Sequence, residues 1–205
     1  MSKYFKQLLA ISLFMFILGC ESNENPFDPR LDDNGLTDDI NNILPDSILQ
    51  KILDIDMPIN YGVNPPNVEG TFIGSPIILK YSTWPKDPER LDFANFVITF
   101  SEQDDEELNV KVGYVNGNEI ANGIGSFIIG NESNFSVFVE VMIDYNNNIK
   151  AQLIQIISGT IVENGIENLH IATFMLDDFG DPENSFLDQG EGRITYDYDG
   201  FSERQ

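Results

Sequence analysis

Little in this chain supports chemistry that depends on rare side chains. It holds one cysteine, one histidine and one tryptophan among 205 residues. A single cysteine excludes a disulfide within the chain, so the fold must be stable through its core. His170, set between Leu169 and Ile171, reads as a structural strand residue rather than a catalytic base. No phosphate-cradling glycine loop and no HExxH pattern occurs. Basic residues are scarce: Lys and Arg number 11 against 34 Asp and Glu, a formal net charge of −23. That balance argues against nucleic acid, whose phosphates need a basic footprint. It argues equally against lying flat on an anionic bilayer. With so many carboxylates some pair is always close, so a glycosidase pair cannot be singled out. No enzymatic activity is expected.

Long hydrophobic runs are also lacking. The longest, Leu8 to Leu18, is broken only by Ser12, and at about 11 residues it falls short of the ~20 needed to span a bilayer. Lys3 and Lys6 precede it, which gives the layout of an export signal. Ile17-Leu18-Gly19-Cys20 then resembles the lipobox of bacterial lipoproteins. The resemblance implies that residues 1–19 are removed and that Cys20 becomes the lipidated first residue. Each buried CH₂ contributes about 0.8 kcal/mol, and stable anchoring takes more than one acyl chain. The expected location is the bacterial outer membrane, with the protein facing the periplasm or the cell surface. The Glu-Ser-Asn-Glu-Asn that follows Cys20 has two readings, a surface-export signal and a solvated tether. Loss of the signal would bring the net charge near −25.

Composition divides the remainder in two. Residues 20–44 are rich in Asp, Asn and Pro and read as a polar tether. Residues 45–205 read as one β domain. It opens with a short helix after Pro45, where Ile48, Leu49, Ile52, Leu53 and Ile55 form an apolar stripe. From Val68 the periodicity changes to two. Phe96, Ile98 and Phe100, then Leu108, Val110, Val112 and Tyr114, then Phe135, Val137, Val139, Val141 and Ile143 alternate with polar or small residues. Turn signals separate these runs at Asp104-Asp105, Asn116-Gly117, Gly130-Asn131, 146–148 and Gly165. Strands are expected near 68–74, 76–83, 92–102, 107–116, 119–129, 135–145, 149–162, 166–177 and 191–198. Gly74-Ser75-Pro76 has the character of a bend in one long strand. Eight or nine strands joined by tight hairpins predict an all-β, up-and-down antiparallel barrel, with a meandering β-sandwich as the alternative.

Three stretches extend this reading. Asn64-Pro65-Pro66-Asn67-Val68-Glu69-Gly70-Thr71-Phe72, Met175 to Pro182, and Gly190-Glu191-Gly192-Arg193 with Asp197 to Glu203 resemble segments of the lipocalin-like (calycin-like) lipoproteins of Gram-negative bacteria. Phe72 stands where the lipocalin motif carries Trp. The resemblance covers about 45–203 and implies a lipocalin-like barrel on a lipid anchor. It carries no activity with it.

An eight-stranded barrel either fills its interior with side chains or holds one small ligand. Phe72, Phe96, Phe100, Tyr114, Phe127 and Phe138 are the candidates to line such a cavity for an apolar or amphipathic ligand, or to fill it. The run 171–176 is apolar on both faces, which suits a strand between the interior and an outer cover such as the 46–55 helix. Asp177, Asp178 and Asp181 crowd a turn and are candidate Ca²⁺ ligands. Thr195-x-Asp197-x-Asp199-Gly200 matches the front of an EF-hand loop but lacks its closing Glu, so turn chemistry is the competing reading for both groups. The two expectations for function are a small-ligand carrier and a structural or adhesion module whose acidic loops take Ca²⁺ or a protein partner. Trp84 is expected at a strand end, stacked on sugar or capping the barrel.

Overall fold

A computed structural model describes residues 28–145, 149–181 and 186–205. Cys20 and the 146–148 turn lie outside the described residues, as do 1–27 and 182–185. Two helices, α1 (Asp38–Ile43) and α2 (Asp46–Asp54), lead into the sheet. The strands are β1 (Val63–Asn64), β2 (Gly70–Gly74), β3 (Ile77–Ser82), β4 (Asp92–Phe93), β5 (Phe96–Asp104), β6 (Asn109–Asn116), β7 (Glu119–Asn131), β8 (Asn134–Tyr145), β9 (Ile149–Val162), β10 (Gly165–Asp177), β11 (Gly192–Asp197) and β12 (Phe201–Arg204).

Eleven of these twelve segments make eight staves; β1 stands outside them and pairs in parallel with β7. β2 and β3 are the two halves of one strand, bent at Ser75-Pro76. β4 runs into β5 in unbroken register against it, since Ile77 faces Phe93 and Gly74 faces Phe96. β11 and β12 likewise run along β10, the first at His170 to Phe174 and the second at Gly165 to Glu167. β5 through β10 form a simple antiparallel meander. β12 then bonds to both β10 and β2, and β11 to β3, so the sheet closes. The protein is an up-and-down antiparallel barrel. The sandwich alternative fails because no open edge divides the strands into two layers.

Local chemistry explains the joints. Asn116 pairs with Glu119 across a two-residue turn in which Gly117 has φ +60°. That is the hairpin geometry for which glycine at the first central position is suited. Gly192 is needed for another reason: a Cβ there would lie 2.3 Å from the ring of Phe174.

Alternation sorts the strand residues into two cores. Inside the barrel lie Phe72, Phe96, Ile98, Phe100, Val110, Val112, Tyr114, Phe135, Val137, Val139, Val141, Ile157 and Leu169 with their neighbours. Outside it, Ile129, Phe138, Ile154, Ile156, Ala172, Phe174 and Ile194 are covered by Leu36, Ile40, Leu44, Ile48, Ile52 and Met57. β9 and β10 are therefore apolar on both faces, as the sequence implied for 171–176. The tether boundary at residue 44 needs correction. Leu36 and Ile40 are fully buried, and the Thr37 hydroxyl caps α1 by accepting from Ile40 N at 3.2 Å. Asp32 ties the preceding loop to α1 by accepting from Leu36 N and from Asn41 Nδ2. The acidic composition of 28–39 masked two widely spaced apolar anchors. In α2 the stripe is narrower than expected, for Leu53 is 46% exposed.

Candidate functional site

The barrel interior differs from end to end. At the end bearing the β7–β8 and β9–β10 turns it is filled by rings. Phe100 meets Phe135 edge-on at 5.9 Å and Phe72 at 6.1 Å. Arg204 lies 4.6 Å over the Phe72 ring and donates to Glu69 O, closing that mouth. Full burial of each ring contributes about 1.5–3 kcal/mol.

The opposite end holds a cavity of about 600 Å³. It lies where β5, β7, β9 and β11 begin and β6, β8 and β10 end. Phe96, Ile143, Leu153, Ile171, Met175 and Leu187 supply its apolar wall, and Phe93 and Phe186 its partly exposed rim. Glu119, Gln155, Thr173, Arg193, Thr195 and Asn116 add polar groups.

These polar groups are connected. Tyr114, which stacks on Phe96 at 4.9 Å, donates its hydroxyl to Glu119 Oε1. Gln155 hydrogen bonds to the Tyr114 hydroxyl and donates from Nε2 to Thr173 Oγ1 at 3.3 Å. Gln155 is only 3% exposed, and its Oε1 is buried with no hydrogen-bond partner. Burial pushes the Glu119 carboxyl above its ordinary range and outweighs the lowering effect of the Tyr114 bond. The same burial, with the Glu119 charge beside it, drives the Tyr114 phenol upward.

Arg193 guards the rim in a different state. Its Nε and Nη2 each reach Asp87 at 2.6 Å, a bidentate pair, and Asp87 also accepts from Ser82 Oγ. The guanidinium lies 5.4 Å from the Trp84 ring and 5.8 Å from the Phe93 ring. Burial pushes the Asp87 carboxyl up, but the bonds from Arg193 and Ser82 outweigh it and hold the group below the ordinary carboxylate range. Trp84 donates from Nε1 to Asp188 at 3.3 Å, so it packs at this mouth.

No protein-family model, curated protein or solved structure matches this chain. The site must therefore be read from its own residues.

Of the six aromatic candidates, the fold brings Phe72, Phe96, Phe100 and Tyr114 to the interior. Phe96 lines the cavity, Tyr114 braces its polar network, and Phe72 and Phe100 fill the far end. Phe127 and Phe138 require correction. They pair with each other on the outward face, Phe138 under the helices and Phe127 beside them. A parity of one residue separates Phe138 from the inward Val137 and Val139. Phe127 also borders a shallow outer trough of about 710 Å³ across β5–β7, where Ile120 and Ile124 are exposed. The β6–β7 ladder is interrupted there, between the Asn109–Phe127 and Gly113–Asn122 pairs.

The acidic turn is occupied by backbone. Asp177 accepts from Phe179 N, Asp178 from Gly180 N and Asp181 Oδ2 from Phe186 N, all at 2.7–2.8 Å. Among the described residues no three His, Cys, Asp or Glu side chains converge to hold a metal. His170 is on the outer wall: Nδ1 lies 2.9 Å from Asn168 O, and Nε2 lies 3.1 Å from Lys80 Nζ.

Glu119, Gln155, Thr173 and Arg193 were not anticipated as site residues, and Thr195 only as the first position of an EF-hand-like run. Their signal was available. Gln155 and Thr173 are polar residues at inward positions of strands whose other inward positions, such as Leu153, Ile157, Ile171 and Met175, are apolar.

Proposed function

We propose that this chain is a membrane-anchored lipoprotein whose lipocalin-like barrel binds one small amphipathic molecule at its open end. The observation that carries this reading is the cavity of about 600 Å³, half apolar wall and half hydrogen-bonding groups, at one end of an otherwise filled barrel. Ligand sites of this kind span about 300–1,000 Å³ and combine apolar walls with a few placed polar groups. The site is read as non-catalytic, because the one hydroxyl that meets a carboxylate, Tyr114 on Glu119, is pushed upward by burial and keeps its proton rather than being activated as a nucleophile. An adhesion module using Asp177, Asp178 and Asp181 for Ca²⁺ has less support, since each carboxylate already accepts a backbone N–H.

Native mass spectrometry of the protein extracted from its own membranes tests the binding reading. A bound small molecule, lost when Leu153→Trp fills the cavity, is the expected result; an empty barrel under every extraction condition would sink it. Metabolic labelling with an alkyne fatty acid tests the anchor. Label should enter the wild type and be absent from Cys20→Ser.

A further inference from the structure

The cavity's polar groups are unequal in charge and in hydrogen-bonding capacity. Arg193 faces the cavity, but both oxygens of Asp87 occupy its fork, and Asp87 is itself buried with a side chain 4% exposed. Glu119 has no such partner. Among the described residues no Lys or Arg pairs with it, and the hydrogen bond it accepts comes from the neutral Tyr114 hydroxyl. The charges of Arg193 and Asp87 cancel, which leaves the cavity one carboxylate in excess. Gln155 Oε1 adds a second acceptor, buried and unused. A buried acceptor without a donor carries an unrecovered desolvation cost, so a ligand that supplies the donor recovers that cost on binding.

We infer that the cavity takes an amphipathic amine: an ammonium group between Glu119 and Gln155, with its apolar body against Leu153, Ile143, Ile171 and Met175. An ammonium offers three donors and a positive charge, which matches an unpaired carboxylate beside an unpaired amide oxygen. A fatty acid does not match. Its carboxylate would confront Glu119 while the guanidinium able to neutralise it is already held by Asp87. The inference rests on the binding reading above and specifies the ligand's head group.

The chain carries its own reporter, because Trp84 is the sole tryptophan and packs against Arg193 at the cavity rim. Full-length protein in detergent micelles is titrated with 4-phenylbutylamine, 4-phenylbutanol and 4-phenylbutanoate while Trp84 emission is followed. Saturation-transfer NMR detects binding that leaves the emission unchanged. The amine should bind at least about tenfold tighter than the acid, with the alcohol between them, as expected for a charge-assisted bond. Glu119→Gln should remove most of the amine's advantage and leave the alcohol within about twofold. Equal or tighter binding of the acid to the wild type overturns the inference and leaves the binding reading intact. Failure of all three probes overturns both. The wild-type series decides the matter even if Glu119→Gln does not fold.

Discussion

The two ends of the barrel share the same eight staves and differ in what their inward positions carry. At the closed end the inward residues are mainly aromatic or aliphatic, with Ser202 bonded to Asp197 among them, and Phe100 packs between Phe72 and Phe135. At the open end the same alternation places Gln155, Thr173 and Thr195 among Leu153, Ile171 and Met175, and these shorter polar groups leave a cavity bridged by hydrogen bonds. The closed end supplies stability and the open end supplies a site, which is why one scaffold can support an uncompensated acid. Stability spent on Glu119 and Gln155 is tolerable because it is made up elsewhere in the same sheet.

The largest expected contrast comes from truncating a ring at each end. Phe135→Ala should destabilise the protein by about 3–5 kcal/mol in urea denaturation, because a fully buried ring leaves a void between closed strands. Phe186→Ala, at the partly exposed rim, should cost only about 1 kcal/mol. Equal losses would erase the distinction between the ends.

Next is the rim pair. Asp87→Ala strands Arg193 beside Trp84 and should cost about 2 kcal/mol, since breaking a buried pair leaves an uncompensated charge. Its pH dependence has a definite sign. The Asp87 carboxyl lies below the ordinary range in the fold. Its contribution is therefore fully present above the unfolded value near 3.9 and disappears as pH falls through the lower folded value. Wild type should exceed Asp87→Asn by a constant margin from pH 8 to about 5, and the two should converge only in stronger acid.

Glu119 should behave oppositely. Burial raises its carboxyl, so the folded state binds the proton more tightly than the unfolded chain. Its penalty grows as pH rises through the raised folded value. Glu119→Gln should match or exceed the wild type in melting temperature at pH 8, and that advantage should shrink toward pH 4. A Gln variant less stable at pH 8 than at pH 4, relative to wild type, would show that Tyr114 and not burial governs the group. The smallest effect belongs to the closed end. Glu132 sits in the β7–β8 turn with φ +56°. Glu132→Gly should raise stability by about 0.5–1 kcal/mol, read from the same melts.

Period-two alternation and turn residues made the barrel legible: all nine expected strands form, with 68–74 and 76–83 fused into one stave by the bend at Ser75-Pro76. β12 was not anticipated, because Phe201 to Arg204 is short and polar and becomes a strand only by bridging β2 and β10. β1 was missed for a similar reason: Val63 and Asn64 pair with β7 in parallel, a long-range contact with no local signal. The aromatic candidates were half legible. Phe96 and Tyr114 belong to runs with clear alternation, whereas Phe127 and Phe138 lie in strands apolar on both faces, where hydrophobicity alone cannot reveal parity. The polar network was the least legible as a whole: the β6–β7 hairpin joins Tyr114 to Glu119 and the β9–β10 ladder pairs Gln155 with Thr173, but only the curl of the sheet brings the two pairs together.

The early start of the folded region has a consequence for geometry at a membrane. The chain is already turned and bonded by Asp28 to Leu31, and Leu36 is locked beneath the helices. If Cys20 carries a lipid, as proposed above, the eight steps of chain from it to Asp28 can reach at most about 28 Å at ~3.5 Å per residue. The barrel would ride on a short leash rather than a long one, confined to a shell near the bilayer. A tethered domain so confined meets amphiphiles leaving the lipid surface at high local concentration, so even modest intrinsic affinity would keep its open end occupied.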